Sequence, residues 1–385
     1  MASEANLVVS GVPKGVTVVL DYQWFDVSQV SCWTGVRGLS AGVHFCATTM
    51  ASGRVGQAAA GCFPTGFFFV VEREGQNLCR EWSEELECLV EVEDEGKRRV
   101  LEERSRSDAE FLMGMLRYDP QWEEPWRKVA GYVTPATIAR VSPVSKCIGV
   151  GGEPDDLGDS VHEARLQEQL GSASREGGGG CRASSKCFYL DIPKGKAALA
   201  RQGRARGIMG GRDLTRLHLD KSPILEDLVG SKLGGDFDEL LGELQFAFVC
   251  FLMCQSLAGF LHWRDILTLV FQSERAALET QVDFSLGVLR VLRSQLDLAL
   301  RAQGGDASAL VDDIFRGEDH FLKRSLKEFF LAVQEADAVP LALEEAAESL
   351  KGLLQRRLGL FLPADGEGGG SDDDDDEYAP VVVQL

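Results

Sequence analysis

Residues 237–255 read FDELLGELQFAFVCFLMCQ, and the spacing of their apolar residues indicates the fold class of the C-terminal half of the protein. Large apolar residues recur at helical spacing, at Leu240, Leu241, Leu244, Phe248, Phe251 and Leu252. This spacing predicts a helix with a broad apolar face. The uninterrupted apolar part, Phe246 to Cys254, is nine residues long, whereas a membrane span needs roughly 20. We therefore predict a core helix of a globular domain.

Helical patterns continue on both sides of this stretch. Ser222 and Pro223 are typical of a helix start, because serine caps a helix well and proline fits its first turn. Further helices are predicted at 257–278, 280–302, 320–336 and 341–359. The connections are short, so consecutive helices are expected to lie antiparallel in a bundle or short superhelix. Residues 213–362 are therefore predicted to form an all-α C-terminal domain.

The first part of the chain, residues 1–141, has a different pattern. Short segments rich in β-branched and aromatic residues, separated by Gly and Pro, predict strands at 6–10, 17–22, 42–46 and 66–71. A helix is expected to begin at Ser107-Asp108, with Met115 and Leu116 on its apolar face, and another after Thr134. The predicted fold class is α+β: a β-rich, mostly antiparallel N-terminal domain with covering helices, followed by the helical domain.

Two segments contain few large apolar residues. Residues 142–212 are rich in Gly and Ser, which predicts a mainly disordered linker. Its second half, 182–212, is basic in an otherwise acidic chain. That stretch is either a solvated linker or a contact for RNA or for an acidic partner.

The last segment, residues 363–385, is predicted to be a flexible acidic tail that ends in a strand. A lone terminal strand is not stable in water, so the end is either frayed or adds to the sheet edge of a partner. In the second case the partner-binding residues are Tyr378, Pro380, Val381, Val382, Val383 and Leu385.

Charge and cysteine usage restrict the function classes. The net charge of −20 argues against a nonspecific grip on nucleic acid or on an anionic membrane. The N-terminus lacks the pattern of a secretory signal, so we expect an intracellular protein. The ten cysteines include no C-x-x-C pair, and we expect reduced thiols.

One motif resembles a catalytic site. Residues 38–42, GLSAG, match the nucleophile elbow around Ser40, with His44 nearby. A nucleophile elbow leads from a strand into a helix, whereas the following residues are strand-like, so we predict a glycine-rich turn between two strands. The remaining histidines are scattered, and no phosphate-binding loop occurs in the sequence. These observations favour a binding protein without catalytic residues, metal or cofactor.

Several segments carry a resemblance to a known family. The longest is 239–252, which continues to 262–264 and 271–274. The shorter ones are 20–22, 42–45, 64–68, 118–120, 219–222 and the tail residues 379–383. Together they resemble the A1-alpha2 repression (AAR) splicing-factor family. The segment 142–212 departs from the family pattern, and so do residues 341–378, which contain the acidic run.

The resemblance implies a VHS-like helical domain and a chaperone of U5 snRNP assembly, present in the cytoplasm and nucleus. It implies binding of the large U5 scaffold protein, pre-mRNA-processing factor eight, at its RNase H-like domain. The tail would bridge to the Jab1/MPN domain, blocking premature helicase and RNA binding during tri-snRNP maturation for mRNA splicing. The chain would be a monomer before binding and would make no direct contact with nucleic acid. The alternative is an RNA-associated splicing protein that contacts snRNA through residues 182–212.

Release from the scaffold requires a switch. Ser142 and Ser222 each precede a proline in or beside the predicted linker. A phosphate on either would add about two negative charges next to a helix start or linker. The alternative for Ser222 is a purely structural role as a helix cap.

Overall fold

A computed structural model of the chain describes residues 4–25, 27, 32–50, 64–149, 186–193, 219–301, 321–336 and 338–359. Within these residues the N-terminal part contains nine strands in two sheets. They are β1 (Ala5–Ser10), β2 (Val16–Leu20), β3 (Gln23–Phe25), β4 (Gly35–Leu39), β5 (Gly42–Met50), β6 (Thr65–Val71), β7 (Asn77–Ser83), β8 (Cys88–Glu91) and β9 (Met115–Arg117). The sheet orders are β8-β7-β1-β4-β9 and β3-β2-β5-β6.

The α+β class and the four predicted strands are confirmed, as β1, β2, β5 and β6. Most described strand pairs are antiparallel, while β1 pairs with β7 and β4 pairs with β9 in parallel. The sequence pattern missed β3, β4, β7, β8 and β9. These strands are short or carry charged residues, so they show little alternation of apolar and polar positions.

In the described residues, four α-helices and a 3-10 turn at Pro120–Trp122 accompany the sheets: the α-helices are α1 (Glu95–Ser107), α2 (Ala109–Met113), α3 (Glu123–Ala130) and α4 (Pro135–Val141). The predicted start at Ser107-Asp108 is confirmed, since the Asp108 carboxylate caps α2 by accepting the N–H groups of Glu110 and Phe111. The helix is shorter than expected, however, because Met115 and Leu116 belong to β9. Helix α1 was not predicted, and its charged sequence buries Leu101 and Ser105 alone.

The C-terminal part is helical where it is described, as predicted. Its helices are α5 (Ser222–Lys232), α6 (Phe237–Cys254), α7 (Leu257–Phe271), α8 (Val282–Arg301), α9 (Phe321–Glu335) and α10 (Leu341–Leu358), with a π-helical turn at Ala276–Thr280. None of the described helices is long and apolar enough to cross a membrane.

Helix α6 differs from the prediction of a one-sided apolar face, because every residue from Leu240 to Cys254 is buried. Helices α7 and α8 pack on it, and so do α3, α4 and β6 of the N-terminal part. One hydrophobic core therefore extends from the four-stranded sheet to α10. A helix that is covered all round can be apolar all round, which explains its sequence.

Two pieces of the predicted linker have defined positions. Residues 142–149 run from α4 to the sheet edge, where Ile148 exchanges two backbone hydrogen bonds of 2.7 Å with Gly66 in β6. Residues 186–193, which we call the strap, pack against the helical part and bury Cys187 and Ile192. The remainder of 142–212 lies outside the described residues.

The prediction of reduced thiols is wrong for one pair. Cys88 and Cys147 form a disulfide across 59 residues of sequence. The described cysteines Cys32, Cys46, Cys79, Cys187, Cys250 and Cys254 are free. Spacing could not reveal the pair, because the fold and not the local sequence brings the two residues together.

Candidate functional site

A polar contact between α6 and the N-terminal helices is centred on Glu243, whose side chain is fully buried. Its Oε1 accepts the Leu190 N–H at 2.7 Å and lies 2.7 Å from Nε2 of His262. Its Oε2 accepts a hydrogen bond from the Arg140 guanidinium. Burial would raise the pKa of Glu243, but these three neighbours together lower the pKa below its usual value. The carboxylate is therefore ionised and joins three separate segments of the chain.

Glu239 lies one turn earlier on α6 and holds the start of α4. Its two carboxylate oxygens accept hydrogen bonds from Thr134 Oγ1 at 2.7 Å and Thr137 Oγ1 at 3.0 Å. The same two threonines form the capping box of α4, which confirms the predicted helix start at Thr134. Arg140 Nη2 is 3.6 Å from Glu239. The last helix of the N-terminal part is thus fixed to α6 by its own cap.

Gln245 and Gly242 complete this contact. Gln245 is fully buried; its Oε1 accepts the Tyr132 N–H at 2.7 Å and its Nε2 donates to the Lys128 carbonyl at 3.1 Å. An ideal Cβ at Gly242 would lie 2.5 Å from the Tyr132 carbonyl oxygen. Glycine is therefore required at the point where α6 meets the connection between α3 and α4. We call the set Thr134, Thr137, Arg140, Glu239, Gly242, Glu243 and Gln245 the interdomain contact.

Aromatic packing extends the contact to the sheet. The rings of Phe246 in α6 and Phe68 in β6 are stacked at 4.5 Å between centroids. Trp126 of α3 donates its indole N–H to the Val43 carbonyl at 2.8 Å. Sheet, N-terminal helices and α6 therefore share one core, in which polar and aromatic contacts fix their relative orientation.

The strap crosses this contact. The ring of Tyr189 stacks on His262 at 4.4 Å, and the Phe188 N–H donates to the Val141 carbonyl at 2.8 Å. These residues lie in the segment that the sequence predicts to be a linker. A run of apolar residues at 187–190 inside a Gly-rich and polar segment was the signal that could have identified them.

A second buried polar pair lies inside the N-terminal part. Asp21 lies in a turn and has a φ of 51°. Its Oδ1 accepts a hydrogen bond from the Phe45 N–H at 2.9 Å, and its Oδ2 lies 2.5 Å from Nδ1 of His44. His44 Nε2 is 2.8 Å from the Ser40 carbonyl, which can only accept, so this nitrogen carries a proton. Burial opposes the charge on His44, but Asp21 raises the pKa above its ordinary value.

This geometry accounts for the catalytic-looking motif. Ser40 lies in the turn between β4 and β5, as predicted, and it is the backbone oxygen of Ser40 that meets His44. The histidine ring is engaged on both nitrogens. The pair therefore holds the turn between β2 and β3 against the turn that leads from β4 to β5.

Ser222 lies in a further buried contact, between the start of α5 and the π-helical turn. Its Oγ accepts the Ala276 N–H at 2.7 Å and donates to Asp220 Oδ1 at 2.6 Å. The Lys221 N–H donates to the Gln272 carbonyl at 2.8 Å. The predicted helix start is confirmed, but Ser222 is the first residue of α5 rather than its cap, and its side chain is fully buried.

The other predicted site residues have these positions. Ser142 follows the last residue of α4, is half-buried and is the helix cap there. Tyr378, Pro380, Val381, Val382, Val383 and Leu385 lie outside the described residues, and so does most of 182–212. Among the described side chains, no group of three or more His, Cys, Asp or Glu could hold a metal ion.

Comparisons with known proteins agree over both parts of the chain. A family profile described as the AAR2 N-terminal domain matches residues 3–143, and one described as the AAR2 C-terminal repeat region matches residues 198–363. The AAR2 homologs of Mus musculus and Homo sapiens are 25% and 23% identical, over 99% of this chain and 94% of each relative. The AAR2 homolog of Oryctolagus cuniculus is 31% identical over 45% of this chain and 46% of its own length.

Proposed function

Because the chain belongs to the AAR2 family, we propose that it is a non-enzymatic assembly factor of the U5 snRNP for pre-mRNA splicing, acting in the cytoplasm and nucleus. Its folded part binds the RNase H-like domain of the U5 scaffold protein, pre-mRNA-processing factor eight. Its tail binds the Jab1/MPN domain of the same scaffold. The bound protein keeps the helicase and RNA off the immature particle by occupying their surface.

The observation that carries this proposal is the convergence of the family-like segments on one contact. Residues 239–252 supply Glu239, Glu243 and Gln245, which hold the helices that follow the segment 118–120. A protein that acts by occupying a surface benefits from a fixed shape, because little conformational freedom is then lost on binding. The interdomain contact and the hydrophobic core that both domains share provide such a shape.

The tail adds a second attachment. Eighteen residues separate Gly359 from Tyr378, and fully extended they span at most about 65 Å. Once the folded part is docked, the strand is confined near the scaffold, which raises its effective concentration at the second domain. The folded part and the tail together then bind the scaffold more tightly than either does alone.

The experiment is a pull-down of the isolated RNase H-like and Jab1/MPN domains. Full-length protein should retain both domains, whereas a chain truncated after Pro363 should retain the RNase H-like domain alone. Val382→Pro removes a backbone donor from an added strand and should act like the truncation. Val382→Thr keeps the donor and the β-branched shape, and should bind like the wild type.

Each outcome has a distinct meaning. Ternary assembly that survives truncation would remove the bridging role of the tail. A full-length chain that does not retain the RNase H-like domain would reject the proposed function. If the chain instead binds U5 RNA with an affinity that falls steeply with salt, an RNA contact through residues 182–212 replaces the proposed function.

Ser142 is the more accessible of the two proposed release sites, since it is half-buried at the end of α4 while Ser222 is fully buried. A phosphate at Ser222 requires α5 to open first. The phosphomimetic Ser142→Glu should lower scaffold binding with the folded part intact. Ser222→Glu should instead lower the unfolding temperature. A Ser142→Glu variant that binds like the wild type would exclude that site.

A further inference from the structure

The strap contacts the rest of the protein in the way that a bound peptide does. It has neither helix nor strand and lies against the end of α4, α6 and α7. Its described backbone hydrogen bonds reach other elements, from the Phe188 N–H to the Val141 carbonyl and from the Leu190 N–H to the Glu243 carboxylate. We propose that these three helices form a peptide-binding groove, which the chain fills with its own strap and which also binds that segment as a separate molecule. This inference goes beyond scaffold binding and does not depend on it.

The side chains of the strap divide into a bound set and an exposed one. Cys187 and Ile192 are buried, whereas Phe188 is 56% exposed although it is large and apolar. The Tyr189 ring stacks on His262 at 4.4 Å between centroids, and the Tyr189 hydroxyl is buried. In a peptide groove, backbone hydrogen bonds provide affinity and the pockets for particular side chains provide selectivity. The groove therefore fits a segment with a small apolar residue, an aromatic residue two positions later and a β-branched residue three positions after that.

The acceptor in the groove is held in place without the strap. Glu243 Oε2 accepts a hydrogen bond from Arg140, and Oε1 lies 2.7 Å from His262 Nε2, so two partners remain when the Leu190 N–H is absent. Arg140 belongs to α4 and His262 to α7, and both helices pack directly on α6. A site whose groups are fixed in advance loses little conformational freedom on binding. We therefore expect the groove to persist when the strap is no longer covalently attached.

Long segments connect the strap to the helices that form the groove. Residues 150–185 and 194–218, thirty-six and twenty-five residues long, lie between the strap and its described neighbours in the chain. A covalent connection raises the effective concentration of the strap at the groove without adding a contact. A free peptide therefore competes poorly with the intact chain, and its binding has to be measured after both connections are cut.

The test uses the full chain with protease recognition sites inserted at Gly177–Gly180 and after Gly207. Cleavage at both sites leaves the strap attached by noncovalent contacts alone. A fluorescent peptide of residues 184–195 should then bind saturably by fluorescence anisotropy and displace the strap fragment. It should bind the uncut chain at least about tenfold more weakly, because the tethered strap competes.

The outcomes of this exchange are distinct. A cut protein that stays folded and binds the peptide supports the groove, and so does one that loses its circular dichroism signal and regains it when the peptide is added. A cut protein that binds no peptide at saturating concentration overturns the proposal. A cut protein that unfolds and is not restored by the peptide overturns it as well.

Peptide variants separate specific recognition from general hydrophobic adhesion. Tyr189→Ala removes the ring that stacks on His262 and should lower the affinity of the peptide at least about tenfold. A methyl group on the Leu190 nitrogen removes the donor to Glu243 and should lower it by a similar factor. Phe188→Ala is the matched control, because this ring is exposed, and should lower the affinity less than about threefold. Equal affinities of the Tyr189→Ala and Phe188→Ala peptides would refute the groove, and this comparison needs no further change in the protein.

Discussion

Gly242 lies where α6 crosses the connection between α3 and α4, and replacing it with alanine should destabilise the protein. An ideal Cβ there would lie 2.5 Å from the Tyr132 carbonyl oxygen and 2.9 Å from Thr137 Oγ1. Both distances are well inside van der Waals contact, and the nearer atom is backbone, which cannot rotate away. Helix and connection must therefore move apart, which lengthens the hydrogen bonds of Glu239 to Thr134 and Thr137.

The expected change in the free energy of unfolding follows from two opposing terms. Overpacking of a tight contact costs about 1–3 kcal/mol, and the rigid carbonyl favours the upper end. Alanine in place of glycine within a helix gains about 1 kcal/mol. The net loss for Gly242→Ala is then about 2 kcal/mol. Gly230 in α5 is the matched control, because a Cβ there meets nothing within 4 Å, and Gly230→Ala should gain about 0.5–1 kcal/mol.

Urea denaturation followed by circular dichroism measures both variants against the wild type. The midpoint should fall for Gly242→Ala and rise for Gly230→Ala with unchanged slopes. Hydrogen exchange of residues 131–141 should become faster in the first variant alone, which locates the effect at the interdomain contact. If Gly242→Ala and Gly230→Ala shifted the midpoint equally and in the same direction, the reasoning would be refuted, since the close approach of the Cβ to the Tyr132 carbonyl oxygen would then not destabilise the protein.

Three further changes test the buried polar groups. Glu243→Gln removes the charge at the centre of the interdomain contact and should lower the free energy of unfolding by about 3 kcal/mol. Glu345→Gln changes an exposed residue and serves as a near-neutral control. Equal unfolding temperatures of the two variants would contradict this prediction. His44 has a raised folded pKa, so its stabilising effect is present below the unfolded pKa of about 6.5 and lost as pH rises through the folded value. The stability gap between wild type and His44→Gln should therefore be wider at about pH 5.5 than at about pH 8.5, and a gap independent of pH would exclude the charged ring. Ser222→Ala leaves a buried backbone N–H without its acceptor and should cost about 1–3 kcal/mol in urea denaturation, whereas an unchanged midpoint would show that the contact is dispensable.

The helical half was predictable because its apolar residues recur at helical spacing over long segments. The starts at Ser222 and Thr134 were also predictable, since a hydroxyl followed by proline has a clear local cause. Short strands gave weaker signals. Strand β7 reads NLCREWS, where charged and apolar residues do not alternate strictly, so its pairing with β1 is set by the fold and not by its own pattern.

The interdomain contact was partly visible in the sequence. Glu239, Gly242, Glu243 and Phe246 are spaced i, i+3, i+4 and i+7, so they share one face of α6. Two carboxylates and a glycine on one face of a mostly apolar helix indicate a polar partner that comes very close. The residues that pair with Glu243 were not predictable. Arg140 lies far before Glu243 in the sequence and His262 lies on the helix that follows, so no local pattern connects them. The pairing of Cys88 with Cys147 was not predictable for the same reason, since the fold brings together two residues that are far apart in the sequence.

Glu243 also shows why stability alone does not explain the contact. Taking a carboxylate out of water is expensive, and a buried ion pair is often no more stable than apolar residues of the same volume. The ionised Glu243, however, has few satisfactory positions: it needs Arg140, His262 and the Leu190 N–H at once. A displaced or rotated domain would leave this charge unpaired in the core, which is strongly unfavourable. The network therefore disfavours wrong arrangements of the two domains more than it stabilises the right one.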